Sequence, residues 1–311
     1  MSSPEDPFSV PAADAIDPAM EPLAPTVAPP PSLPAALTPA EPGTILYDPS
    51  LAAAVLPPLP GTPPLVAFPD PAWNGWDLVR LTCVTIVALF VAVFAILLIA
   101  RVTFFPHRSL GDIARNPLIA VAGQSLGYLL VLIYMYFLVT RERRRPDFLN
   151  AIHWNWPRKF AIYGVVGFVL SLALQGFAHF LPIPKELPID SFFQTPAEAW
   201  SLGLLSITLA PLMEELYFRG FLYPVLARRL GLSASVLITA LAFALLHGAQ
   251  LQFSWGAVLI IFLVGLVLTL VRAKTNSVAA GMVIHVAYNA TITLAMFAAT
   301  DGFRHLEKLN Q

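Results

Sequence analysis

The chain has 311 residues, of which 57% are hydrophobic and 12% charged, with a mean hydropathy of +0.70. An average soluble domain carries roughly 25% charged residues, about twice this share. The net charge of −1 gives no general reason to expect nucleic-acid binding, and the sequence contains no zinc-finger, phosphate-loop or dinucleotide-binding pattern. The composition therefore indicates an integral membrane protein.

The first 77 residues differ in composition from the rest of the chain. They hold 20 of the 30 prolines and nine acidic side chains, and they contain no Lys or Arg. Such a segment lacks the apolar periodicity that builds a core, and proline removes backbone donors. We expect residues 1–77 to be a disordered, acidic, proline-rich tail with extended polyproline-like segments.

The remainder is predicted to be all-α, a polytopic bundle of about seven transmembrane helices. The prediction depends on apolar runs long enough to cross about 30 Å of hydrocarbon. These runs lie near residues 79–104, 117–140, 159–182, 200–226, 233–251, 255–272 and 277–299. All six tryptophans fall at the borders of these runs, as expected for indole rings at the membrane interface.

The distribution of Lys and Arg predicts the orientation. With seven spans, the face that carries the N-terminus holds eleven basic residues, and the opposite face holds six. Because short cytoplasmic loops retain positive charge, we place the N-terminus in the cytoplasm. Oligomeric state is not readable from these features.

The single cysteine, Cys83, excludes an intramolecular disulfide and any thiolate metal cluster. A metal site in this chain would therefore need histidine and carboxylate ligands.

The fourth run carries a charged cluster of Glu214, Glu215 and Arg219. On a helix, Glu215 and Arg219 are four positions apart, which predicts an ion pair with the acid on the favoured N-terminal side. The Glu214 side chain is rotated about 100° from that of Glu215 around the helix axis, so it has no arginine partner of this kind. Ionisable groups inside membrane helices are functional candidates, so Glu214 is a candidate general base. A structural charge network that joins helices is the alternative.

Two further polar clusters follow in the later runs, Phe243 with His247 and His285 with Asn289. His285 and Asn289 are one helical turn apart, so both can face one pocket and donate to a developing oxyanion. A hydrogen-bonded packing histidine and an interhelical polar clamp are the alternative interpretations.

Three strings, Glu214-Glu215-Leu216-Tyr217-Phe218-Arg219, Phe243-Ala244-Leu245-Leu246-His247 and His285-Val286-Ala287-Tyr288-Asn289, resemble the motifs of the CPBP family. This family, also called Abi, includes eukaryotic CAAX prenyl endopeptidases and bacterial relatives linked to bacteriocin processing or self-immunity. The resemblance covers roughly residues 198–295. It divides the membrane part into N-terminal helices at 78–197, a CPBP-type catalytic core at 198–295 and a C-terminal tail at 296–311.

The resemblance implies an intramembrane endopeptidase with a cavity open to the cytoplasmic side. Glu214 and His247 would activate a water, and His285 and Asn289 would stabilise the oxyanion, with Glu215, Arg219 and Phe243 in support. Glu214, His247 and His285 are also candidate ligands for a divalent metal such as zinc. The zincin pattern of paired histidines is missing, so we expect a glutamate-dependent reaction, with the metal left open.

The implied substrate is a hydrophobic, lipidated or membrane-proximal peptide or protein. The expected location is a bacterial inner membrane, with lipid as a partner and no nucleic acid. A non-catalytic scaffold or immunity-type binding protein is the main alternative. A transporter is less consistent with the sequence, because the polar groups are concentrated in the last four runs and have no counterpart in the first three.

Overall fold

A computed structural model describes residues 71–310 of the chain. Over this range the protein is a bundle of α-helices without β-strands, which confirms the predicted all-α membrane fold. Most of the predicted tail lies outside the described residues. The ten α-helices of the described range are α1 (Gly75–Thr103), α2 (Leu110–Ala114), α3 (Pro117–Phe137), α4 (Phe148–Ala151), α5 (Phe160–Ala178), α6 (Pro196–Ile207), α7 (Leu209–Glu214), α8 (Tyr223–Leu246), α9 (Trp255–Thr275) and α10 (Val278–Ala299).

Six helical segments of the described range are long and apolar enough to cross a membrane. The fourth, Pro196–Leu246, has 51 residues. A straight helix of that length would measure about 77 Å, more than twice the thickness of the hydrocarbon core. The chain departs from helical geometry at Thr208 and again at Gly231, where φ is +76°. The predicted count of seven is therefore approximate, since this long segment is divided by two breaks.

The packed part of the chain begins before residue 77, where the sequence had placed the end of the tail. Helix α1 starts at Gly75, and Asn74 caps it by accepting hydrogen bonds from the backbone N–H groups of Trp76 and Asp77. Trp73 is 2% exposed, and its indole N–H donates to the Phe221 carbonyl at 3.0 Å. The buried Asp77 carboxylate pairs with Arg143. Residues 73–77 thus belong to the folded bundle.

Two apolar clusters organise the packing. One joins Trp73 and α1 to α3 and to the segment around Leu216. The other contains Phe218, Phe243, Leu268 and Ile284, from four consecutive parts of the C-terminal half. This second cluster brings the three predicted motifs to one place, because each motif contributes a buried residue to it or to its border.

A polar contact joins two connecting segments. Asn276, after α9, donates a side-chain hydrogen bond to Nδ1 of His153 at 3.3 Å, and the backbone N–H of Val278 donates to the His153 carbonyl. Burial, together with the charge of Arg272, lowers the pKa of His153. Only the neutral imidazole has a ring nitrogen that can accept a hydrogen bond from the amide N–H. Because the lowered pKa keeps His153 neutral, this contact is maintained near neutral pH.

Helices α5 and α10 approach closely at Gly167. A Cβ atom at this position would lie 2.4 Å from the carbonyl oxygen of Ile284, the residue before His285. Gly164, one turn earlier on the same helix, has no atom within 4 Å of such a Cβ. Small residues at membrane helix interfaces permit this kind of backbone approach.

We predict that Gly167→Ala destabilises the protein by about 1–3 kcal/mol, since the added methyl group must push α10 away. Gly164→Ala should be neutral or slightly stabilising, because alanine has the higher helix propensity. Thermal unfolding of both purified variants measures the difference. Equal melting temperatures would show that α5 and α10 are not in contact at Gly167.

Candidate active site

The segment that carries the adjacent glutamates changes its helical register at Glu215. Helix α7 ends at Glu214, and residues Glu215–Leu222 form a π-helical turn. Two prolines flank this segment. Pro211 lacks the N–H that would bond to the Ile207 carbonyl, next to the break at Thr208. At the other end the Tyr223 N–H donates to Phe218, five residues back, and Pro224 has no N–H to donate. Wide turns of this kind are frequent at functional sites.

Glu215 and Arg219 form the ion pair that their spacing predicts. The Arg219 Nη1 atom lies 2.9 Å from Glu215 Oε1, and both side chains are fully buried. The guanidinium also donates to the Gly265 carbonyl at 3.1 Å and to Thr269 Oγ1 at 3.3 Å. A buried ion pair needs such additional hydrogen bonds, because desolvation of the charges is expensive. Helix α9 therefore supplies the contacts that hold the pair in place.

His285 is oriented by the same carboxylate. Its Nδ1 atom lies 3.0 Å from Glu215 Oε1. A carboxylate can only accept, so we infer that Nδ1 carries a proton. The other ring nitrogen, Nε2, faces Glu214 Oε2 at 3.6 Å. Glu215 thus fixes the direction in which His285 presents Nε2.

His247 is also oriented by a hydrogen bond at Nδ1, and its acceptor is a backbone carbonyl. Its Nδ1 atom lies 2.9 Å from the Phe243 carbonyl, which can only accept, so Nδ1 again carries a proton. Its Nε2 atom faces Glu214 Oε1 at 3.8 Å. The two imidazoles therefore present Nε2 atoms to the two different oxygens of one carboxylate.

Phe243 lies at the centre of this arrangement. Its ring centroid is 4.9 Å from that of His247 and 5.8 Å from that of His285. The Arg219 guanidinium carbon lies 4.5 Å from the same centroid, within the range of a cation–π contact. The ring excludes water from Arg219 and limits the movement of both imidazoles, which agrees with a supporting role.

Asn289 faces helix α6. Its Nδ2 atom donates to the Ser206 carbonyl at 2.7 Å, and within the described residues it makes no hydrogen bond to Glu214, His247 or His285. Ser206 is in the last turn of α6, where carbonyls lack intrahelical donors. An amide nitrogen carries two N–H groups, so this bond uses only one of them.

The three candidate metal ligands have suitable atom types, and their atoms lie somewhat farther apart than the ligand atoms of a tetrahedral zinc site. Zinc bonds of about 2.0–2.1 Å in a tetrahedron place ligand atoms about 3.3 Å apart. The distances of 3.6 and 3.8 Å between Glu214 and the histidines exceed this value. Among the described residues, no group of three or more His, Cys, Asp or Glu is placed to hold a metal ion.

Several residues that form hydrogen bonds to the site were not identified from the sequence. Gly265, Thr269 and Ser206 act through carbonyl or hydroxyl groups that carry no recognisable signal. Arg272, the last residue of the predicted run 255–272, is 2% exposed and donates to the Arg219 carbonyl at 3.1 Å.

Comparison with known proteins finds a similarity between this segment and one family. Residues 196–291 match the Rce1-like family, described as type II CAAX prenyl endopeptidase Rce1-like. The matched range begins at α6 and ends within α10, so it contains all the residues of the site described above. No curated protein and no solved structure matches the chain significantly.

The two adjacent glutamates should differ in their effect on stability. Glu215→Gln leaves the buried Arg219 without its anion, and breaking a buried pair costs about 3–5 kcal/mol. Glu214 has no hydrogen bond that Gln would remove and is 14% exposed. We therefore expect Glu214→Gln to change the unfolding free energy by less than about 1 kcal/mol. Thermal unfolding of both variants in one detergent tests this contrast, and equal losses would contradict the assignment of separate roles.

Proposed function

We propose that this chain is an intramembrane endopeptidase of the CPBP family of CAAX proteases, with Glu214 at its catalytic centre, and the match at residues 196–291 supports this family assignment. The family match supports a CAAX-type intramembrane protease in general. The roles of individual residues and the type of substrate are our proposal.

The positions of two histidines around Glu214 support the assignment of catalytic residues. Two histidines from different helices direct Nε2 atoms to opposite oxygens of the Glu214 carboxylate, while hydrogen bonds at Nδ1 hold both rings. A purely structural clamp would bring donor and acceptor into direct contact. Here the separations of 3.6 and 3.8 Å exceed hydrogen-bond length, which leaves these polar atoms available to a ligand such as water.

Glu214 and His247 would activate the attacking water. The carboxylate takes a proton from water that is also bound to His247 Nε2, and the oxygen attacks the carbonyl carbon of the scissile peptide bond. When the C–N bond breaks, the same proton passes to the leaving amine. One water is consumed, and a new carboxyl terminus and a new amino terminus are formed.

His285 would stabilise the oxyanion of the tetrahedral intermediate. For this its Nε2 atom must donate to the oxyanion, while the contact of Nδ1 with the Glu215 carboxylate holds the ring in that direction. Asn289 would contribute the second N–H of its amide, while its bond to Ser206 fixes its position.

The apolar residues around the segment that carries Glu214 are consistent with a hydrophobic substrate. An apolar cavity of about 450 Å³ adjoins the segment that carries Glu214. Its lining includes Leu212 and Leu216, which flank the two glutamates, and aromatic side chains from α3 and α4. Such a surface fits a hydrophobic, lipidated or membrane-proximal peptide and offers no polar group to a soluble one.

We predict that cells producing the wild-type protein contain new protein termini that are missing when Glu214→Gln is produced. The neutral amide cannot take the proton from water, so cleavage should fall by at least about 100-fold. N- and C-terminal peptides from the two sets of membranes are compared by mass spectrometry at equal protein abundance. Glu186→Gln, in the exposed loop before α6, is the matched control and should behave as wild type.

Identical termini in all three samples, together with an unchanged phenotype in the Glu214→Gln cells, would contradict the proposal. They would favour a scaffold that binds its partner without cutting it.

A further inference from the structure

We propose that Arg272 is a positioning residue for the active site, because it supplies a hydrogen bond that Pro224 withholds from the catalytic segment. The proposal rests on the proposed function for its effect on cleavage. The contact itself can be tested without activity.

The vacant acceptor is the backbone carbonyl of Arg219. In the π-helical register each N–H bonds five residues back, as the Tyr223 N–H does to the Phe218 carbonyl. The next N–H would come from residue 224, at the change from this register to helix α8, and it would bond to Arg219 in the π-helical register or to Gly220 in the α-helical one. Residue 224 is proline and has no N–H. An unpaired backbone carbonyl buried in a membrane bundle is unfavourable, so another donor is required.

Arg272 provides that donor from helix α9. Its Nε atom donates to the Arg219 carbonyl at 3.1 Å. The side chain is buried, and its guanidinium carbon lies 5.7 Å from the ring centroid of Tyr223, the residue before Pro224. Arginine can do this because its planar fork has several donors and keeps its charge when buried.

A second contact sets the direction of the guanidinium. Arg272 Nη1 lies 2.5 Å from Asn276 Oδ1, and the Asn276 amide nitrogen contacts His153. Because Oδ1 accepts from arginine, the amide must present its N–H groups to the histidine. Arg272 is thus held at its far side by the connection between α9 and α10 while Nε reaches the catalytic segment.

The hydrogen bond from Arg272 affects the reacting groups through the Arg219 side chain. Arg219 pairs with Glu215, and Glu215 holds His285 Nδ1. A shift of the Arg219 backbone would therefore move the carboxylate that orients His285. A misplacement of about 1 Å can reduce catalysis by about 100-fold. The hydrogen bonds of Arg272 go to Arg219 and Asn276 and to none of the four candidate catalytic side chains, so its effect is on their positions.

The test is a double-variant cycle of wild type, Arg272→Gln, Pro224→Ala and both changes together. Pro224→Ala restores an N–H at this change of register, which can bond to the Arg219 carbonyl if the π-helical register extends by one residue. We expect Arg272→Gln to lower kcat about 10–100-fold with little change in KM. In the Pro224→Ala background the same change should cost no more than about threefold. The probe is the cleaved peptide found in the comparison of termini.

Melting temperatures of the same four proteins provide the readout that does not need activity. Arg272→Gln should lower the melting temperature more in the wild type than in the Pro224→Ala protein. Lys274→Gln removes an exposed charge from the same helical turn and should leave both readouts unchanged. Equal losses in the two backgrounds, in kcat and in melting temperature, would overturn the proposal.

The two proposals fail in different ways. If the wild type cleaves but the losses are additive, the proposed function stands and the role of Arg272 is wrong. If no protein cleaves any peptide, the proposed function fails and the catalytic role of Arg272 fails with it. Coupled melting temperatures would then support only the contact between Arg272 and the carbonyl, and additive ones would reject that contact too.

Discussion

The buried ion pair of Glu215 and Arg219 is the contact on which the rest of the site depends. Two charges with no exposed surface need hydrogen bonds in addition to the contact between them. Helix α9 meets this requirement for Arg219, and His285 of α10 meets it for one oxygen of Glu215. The pair thus joins the π-helical turn, α9 and α10, and it determines where Glu214 stands relative to both histidines.

The membrane environment explains why so many residues contribute hydrogen bonds to this segment. Water is not available to compensate a missing hydrogen bond, so each break in helical geometry must be repaired from within the protein. The Phe221 carbonyl receives the indole of Trp73, and the Arg219 carbonyl receives Arg272. These repairs come from opposite ends of the chain. They hold rigidly a segment that two prolines would otherwise weaken.

The spacing of residues was enough to predict the membrane helices and the pairing of Glu215 with Arg219, because both follow from local helical periodicity. Resemblance to a family predicted that Glu214, His247 and His285 would meet. The contacts of Arg272, Trp73 and Asn289 were not predictable, since each joins residues 53 to 148 positions apart. The break at Gly231 and the π-helical turn depend on packing of this kind.

The central claim is that Glu214 and His247 act together on one water. Cleavage rates of Glu214→Gln, His247→Ala and the double variant, measured on one peptide in liposomes, test it most directly. Groups that act as a unit are not additive, so the double variant should be no slower than the slower single variant. Losses that multiply would show that the two residues contribute independently and would contradict the account.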